Sequence, residues 1–212
     1  MNQPHTHNLT RRQALTRVLA SLALGTAAAA TIVGLGISSS SAKVDAGPTG
    51  TAAARLGVLQ STAPVANPPA AVQAGLSGAS ADSTAVHLLG RDVDGGGSDL
   101  YASARSNGGA CNALSAAKGG VGTACVDSIP PEGITVSASD AGGWTVYGFA
   151  ADDVVGVDLI VNGAPQPATM LPNAYSAPLG NNHPGDVSAL VVHHADGTST
   201  TVRPGLQAPP TA

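Results

Sequence analysis

Aromatic residues are scarce: one Trp, three Tyr and one Phe in 212 residues. Charged residues make up 10% of the chain, well below the globular norm of about 25%. Only two cysteines occur, Cys111 and Cys125, and the acidic set contains a single glutamate, Glu132. Each scarcity excludes something. Few bulky rings argue against a large, aromatic-rich enzyme core. Scarce charge removes the patterned faces of a coiled coil. The 27 Gly and 15 Pro follow no Gly-X-Y period, which excludes collagen. Asp suits turns and caps whereas Glu suits helix faces, so long helices should be few.

The N-terminal end is organised differently. Residues 1–17 are polar and carry Arg11, Arg12 and Arg17 with no acid. Residues 18–37 form an uncharged run of 20 residues, about 30 Å long as a helix and enough to cross a bilayer core. Only one such run exists, so a multi-span membrane protein is excluded. The arginines hold the N-terminus inside, which places the rest of the chain outside. Two readings stand. An uncleaved anchor gives a single-pass cell-membrane protein with its C-terminal domain outside. A cleaved signal gives a secreted protein starting after the small residues Ser40-Ser41-Ala42. The segment Thr10-Arg11-Arg12-Gln13-Ala14-Leu15 is similar to a twin-arginine export signal. A 20-residue run exceeds the usual 7–15 of a signal core, which favours the anchor.

From Lys43 onward there are six basic and thirteen acidic residues, a net charge of −7. Such a surface repels phosphate backbones, so no nucleic-acid role is expected. The membrane is the expected contact of the N-terminal helix, and any protein or glycan partner is unspecified. In an oxidising compartment Cys111 and Cys125 read as one disulfide. It would close a loop of about 15 residues and contribute roughly 3 kcal/mol.

Residues 38–82 are rich in Ala, Pro and Ser and read as a linker with short helical pieces, one of them after Pro68-Pro69 over Ala70–Leu76. Whether 55–81 docks or floats is open at this level. All five aromatics fall between Tyr101 and Tyr175, so the extracytoplasmic β-rich domain is placed at 83–204, with 205–212 as a loose tail. Strands are expected at Ala85–Leu89, Leu100–Arg105, Ala110–Leu114, Thr123–Val126, Ile134–Ala138, Trp144–Ala150, Val154–Val161, Ala168–Met170, Ala174–Ala177, Val187–His193 and Thr198–Val202. Turns are expected at Ser106–Gly109, at Asn162-Gly163 and at Asp196-Gly197, with a Gly-rich excursion over 115–122. The fold class is all-β, an antiparallel β-sandwich or small barrel-like domain preceded by the transmembrane or signal helix and a flexible linker.

Catalytic signatures are missing: no Gly-x-Ser-x-Gly elbow, no Ser-x-x-Lys and no His-Glu-x-x-His occur. The best metal candidates are Asp92, Asp94 and Asp99 in a Gly-rich loop, which would suit Ca2+, although the loop lacks the bidentate Glu of an EF-hand and reads more simply as a turn. No other cofactor is implied. His183 with His193 or His194 could form a metal pair, with Asp186 or Asp196 as third ligand, and a hydrolase site on the 173–196 loops would bring His183, Asp186 and His194 together. Trp144, Tyr147 and Phe149 take opposite faces of one strand, so either both faces are covered or one offers rings for glycan stacking.

Several pieces carry a resemblance. They are Leu56-Gly57-Val58-Leu59, His87-Leu88-Leu89-Gly90-Arg91, Leu100-Tyr101, Cys111 and Cys125, Gly148-Phe149-Ala150-Ala151-Asp152-Asp153-Val154, and Asn173-Ala174-Tyr175. Together, over about 150 residues, the chain resembles uncharacterised envelope proteins of high-GC actinobacteria, with an N-terminal membrane segment and a two-cysteine β-rich domain. The resemblance implies location and fold and no activity. The expected role is therefore an envelope protein whose outer β-domain binds or builds. The alternatives are a small hydrolase or a calcium-stabilised adhesion module.

Overall fold

The computed structural model describes residues 50–140 and 143–206. The run 18–37, its arginines, the cleavage region near Ala42 and the end of the tail lie outside the described residues. No helix among the described residues is long and apolar enough to cross a membrane. The described chain is mostly antiparallel β-sheet, in three sheets of four strands.

The first sheet is a meander of β1 (His87–Gly90), β2 (Asp99–Ala104), β3 (Ala110–Ser115) and β4 (Val121–Val126), paired in sequence order. The expected turn over Ser106–Gly109 joins β2 to β3, and Gly108 takes a left-handed φ of 83° that favours glycine. The excursion expected over 115–122 is smaller than its glycines suggest. Pairing continues to Ser115 and resumes at Val121, because Gly119 and Gly120, both at positive φ, close a tight turn between them.

The second sheet has the order β5 (Ser137–Ser139), β6 (Thr145–Phe149), β10 (Ala174–Pro178), β9 (Thr169–Leu171). The third has the order β12 (Ser199–Val202), β11 (Val187–His194), β7 (Val154–Val161), β8 (Ala164–Pro167). Asn162-Gly163 turns β7 into β8 with both residues at positive φ, as a two-residue primed turn requires. Strand β8 lies outside the expected strands, because Pro165 and Pro167 interrupt any strand pattern. Pairing Val161 with Ala164 across the two-residue turn fixes the alternation. Residues 165 and 167 then direct their backbone nitrogens to the open side of an edge strand, where a missing N–H removes nothing from the ladder.

One hydrophobic cluster joins all three sheets. It takes Leu100, Ala102, Ala110 and Leu114 from the first, Val146, Tyr147, Phe149 and Tyr175 from the second, and Val157, Leu159, Leu190 and Val192 from the third. Every residue of β6 is buried. The Ser176 hydroxyl, on the Tyr147 face, donates to the Val93 carbonyl in the β1–β2 loop at 2.7 Å, so that face is turned toward the first sheet. Both ring-bearing faces of β6 are therefore covered, and Tyr147 and Phe149 are core residues.

Residues 55–81 dock. Leu56 and Val58 are buried in the main cluster. The 3-10 turn Ala52–Arg55 leads into a single turn of helix, α1 (Val58–Ser61). A second helix, α2 (Ala70–Gly78), starts after Pro69, where a helix has no use for an N–H. Its Val72 and Leu76, one turn apart, pack on Tyr101, Cys111 and Ala113 on the outer face of the first sheet. Cys111 and Cys125 are direct neighbours across β3 and β4 and form the disulfide, with Cα atoms 4.0 Å apart.

Candidate functional site

Three pieces that are far apart in sequence meet at one end of the second and third sheets. Asn173 sits in the turn before β10 at φ 54°, a conformation that Asn tolerates better than most residues. Its Oδ1 accepts the Val58 amide at 2.7 Å. Its Nδ2 donates to Asp152 Oδ1 at 2.7 Å and to the Ala150 carbonyl at 3.1 Å. Asp152 Oδ1 also accepts the Gly57 amide at 3.0 Å. The first N–H groups of α1, which have no partner inside the helix, are thus capped from residues 95 and 115 positions away. A shallow cleft of about 240 Å3 lies over this clamp, lined by Ser61, Thr62 and Pro172 as well as the clamp residues.

Asp153 serves the neighbouring cleft. Its Oδ2 is 3.0 Å from His194 Nδ1 and its Oδ1 is 3.6 Å from Arg55 Nη2. Arg55 Nη1 donates to the Ile129 and Pro130 carbonyls, which anchors the guanidinium. The cleft, of about 380 Å3, is lined by Asp153, His194, Ala195, Asp196 and Thr198. The Thr198 hydroxyl and amide hold the Asp196 carboxyl below its usual range.

His183 and Asp186 do not join His194. Asp186 Oδ2 accepts the His183 amide at 2.8 Å in the turn before β11, and the His183 ring stands edge-on to Trp144 with centroids 6.5 Å apart. His194 lies at the other end of β11, about 26 Å along a strand of eight residues. His194 is therefore far from the turn that holds His183 and Asp186, and the three side chains expected for a hydrolase site do not meet.

His193 makes an arrangement that motif reading missed. On the outward face of the third sheet its Nε2 is 2.9 Å from Asp158 Oδ2 and its Nδ1 is 2.9 Å from Ser199 Oγ. A proton on Nε2 satisfies both contacts, with the Ser199 hydroxyl donating to Nδ1. The signal in the sequence is only the pairing of His193 with Ser199 across a hairpin. This Ser-His-Asp chain can polarise a hydroxyl, yet it lines neither cleft.

The Asp-rich loop is tied to itself. Asp92 Oδ1 accepts the Gly97 amide at 2.6 Å, and Asp99 Oδ1 accepts the Asp92 amide at 3.1 Å. Asp94 accepts from the Gly96 amide and from the Ser98 amide and hydroxyl. Burial works to raise the Asp94 carboxyl, but these donors outweigh it and hold the group below its usual range. Asp99 also faces Arg91 at 3.6 Å. Among the described residues no group of three or more His, Cys, Asp or Glu side chains is arranged to hold a metal ion.

Compared with family models, with curated proteins and with solved structures, the chain finds no match.

Proposed function

We propose that the chain is an envelope protein, anchored by or exported through its N-terminal segment, whose outer β-domain serves binding or structure. The disulfide carries this reading. Cys111 is buried and Cys125 is exposed, and a bridge with one sulfur-bearing residue at the surface persists only where thiols are kept oxidised. The uncharged run 18–37 behind three arginines supplies the route out of the cytoplasm.

The topology supports a binding or structural role. Lettering β5 to β12 as A, B, C, C′, D, E, F and G turns the two sheet orders into A-B-E-D and G-F-C-C′. That is the order of immunoglobulin-type sandwiches, a scaffold that presents loops and sheet faces to partners. The strand-end loops here are built from turns and clamps rather than a deep pocket, which suits a protein or surface glycan contact.

Protease added to intact cells tests the reading. Digestion of the β-domain without lysis is expected. Full protection until the cells are lysed would overturn it.

A further inference from the structure

The sheet edges are not treated alike. The edge at β8 is blocked by Pro165 and Pro167 in its outward positions. Beside the edge at β1 the preceding segment takes the Val86 carbonyl, through Val65 N, and sets Thr62 Oγ1 against His87 Nδ1. Strands β5 and β9 have three residues each, and β12 has four before Arg203-Pro204. Strand β4 differs: its six residues, VGTACV, are uncharged and free of proline, and the N-terminal segment meets this edge only past its end, where Ala52 N donates to the Asp127 carbonyl at 3.1 Å.

The direction of its free groups follows from the ladder. Ala116 N donates to Gly120 O in the β3–β4 turn, so 114–122, 112–124 and 110–126 are the hydrogen-bonded pairs. The 4.0 Å Cα separation of Cys111 and Cys125 marks the opposite, closely spaced kind of pair. Val121, Thr123 and Cys125 therefore direct N–H and C=O away from β3, and among the described residues no backbone partner meets them. The Thr123 hydroxyl, beneath Gly75 of α2, is also buried without a partner.

We infer that the β4 edge pairs antiparallel with the β4 edge of a second copy of this chain, about a two-fold axis at Thr123. This register sets Val121 against the second copy's Cys125 and Thr123 against itself, so the backbone groups of all three outward residues are matched. Charge selects the antiparallel sense. Lys118, exposed in the β3–β4 turn and without an ion pair among the described residues, comes within one residue of the second copy's Asp127. Asp127 uses Oδ1 for Arg105 and Asn107, which leaves Oδ2 for the lysine. A parallel pairing would set like ends together.

Sedimentation of the full-length, detergent-solubilised chain over a dilution series, with zero-length carbodiimide cross-linking, tests this. Within one chain the six residues of β4 hold Lys118 and Asp127 about 20 Å apart, so a direct Lys118–Asp127 link forms only between copies. A dimer of twice the chain mass carrying that link is expected. Thr123→Pro removes an N–H that the β3 ladder does not use. It should abolish the dimer and the link while the melting temperature stays within a few degrees. Lys118→Glu, in the exposed turn, should weaken the dimer several-fold at low salt even if Thr123→Pro proves unstable. A chain monomeric throughout the series, or a dimer without the Lys118–Asp127 link that is indifferent to Lys118→Glu, overturns the inference.

Discussion

Replacing Asn173 should loosen the N-terminal segment before it affects anything else. Its side chain holds the Val58 amide at 2.7 Å and the Ala150 carbonyl at 3.1 Å, while its third hydrogen bond, to Asp152 Oδ1, is exposed to solvent and adds little. At about 1 kcal/mol net for each hydrogen bond, Asn173→Gly should destabilise the domain by about 2 kcal/mol. Gly accepts the backbone φ of 54°; Ala does not, and Asn173→Ala should lose about 1 kcal/mol more. At about 2–4 °C per kcal/mol for a domain of this size, Asn173→Ala should melt about 6–12 °C lower. Urea unfolding measures the ranking, and hydrogen exchange locates the loss. The Gly57 and Val58 amides should exchange faster in Asn173→Gly than the overall loss of stability requires. Equal stability of all three proteins, or unchanged relative protection at Val58, would refute the clamp.

Reduction of Cys111–Cys125 should lower stability by about 3 kcal/mol, because it reopens a loop of about 15 residues in the unfolded chain; denaturant midpoints with and without reductant check this. Gly148→Ala should prevent folding altogether, since a Cβ there would overlap the Thr135 carbonyl that also accepts the Tyr175 hydroxyl; loss of soluble, protease-resistant protein is the readout. His87 is buried, and burial lowers its pKa below the usual 6.5. The unfolded chain then binds the proton more tightly, so this residue's contribution is present above pH 6.5 and is lost as pH falls from there through the lower folded value. Thermal melts should show the loss from pH 7 toward 5 in the wild type, and less of it in His87→Gln. Tyr147, pushed up to about 12 by burial, should stay unionised in ultraviolet titration until the fold opens.

Local pattern and long-range pairing were unequally visible in the sequence. Val154–Val161 alternates so regularly that strand β7 has the expected bounds, and Asn162-Gly163 marks its turn. Two cysteines imply one bridge, and the bridge is there. Strand β8 was hidden because a proline pattern carries no information about which side of a strand is open. The burial of both β6 faces was open because period 2 says that two faces exist and not what covers them. Asn173 and Asp152 stood in recognisable segments, but nothing local indicates that they cap a helix more than 90 residues earlier. The same holds for Asp158 beside His193, 35 positions apart and joined only by strand pairing. The opposite limit applies to His183, Asp186 and His194. They are close in sequence, yet an intervening extended strand carries them to opposite ends of a sheet.

The most direct measurement is to fractionate the native host, wash the membranes with carbonate and sequence the N-terminus of the recovered protein. Export predicts an intact chain that resists the wash, or a soluble extracytoplasmic chain starting near Lys43, with Cys111 and Cys125 bridged in either case. An intact chain in the soluble cytoplasmic fraction with both thiols free would contradict the account.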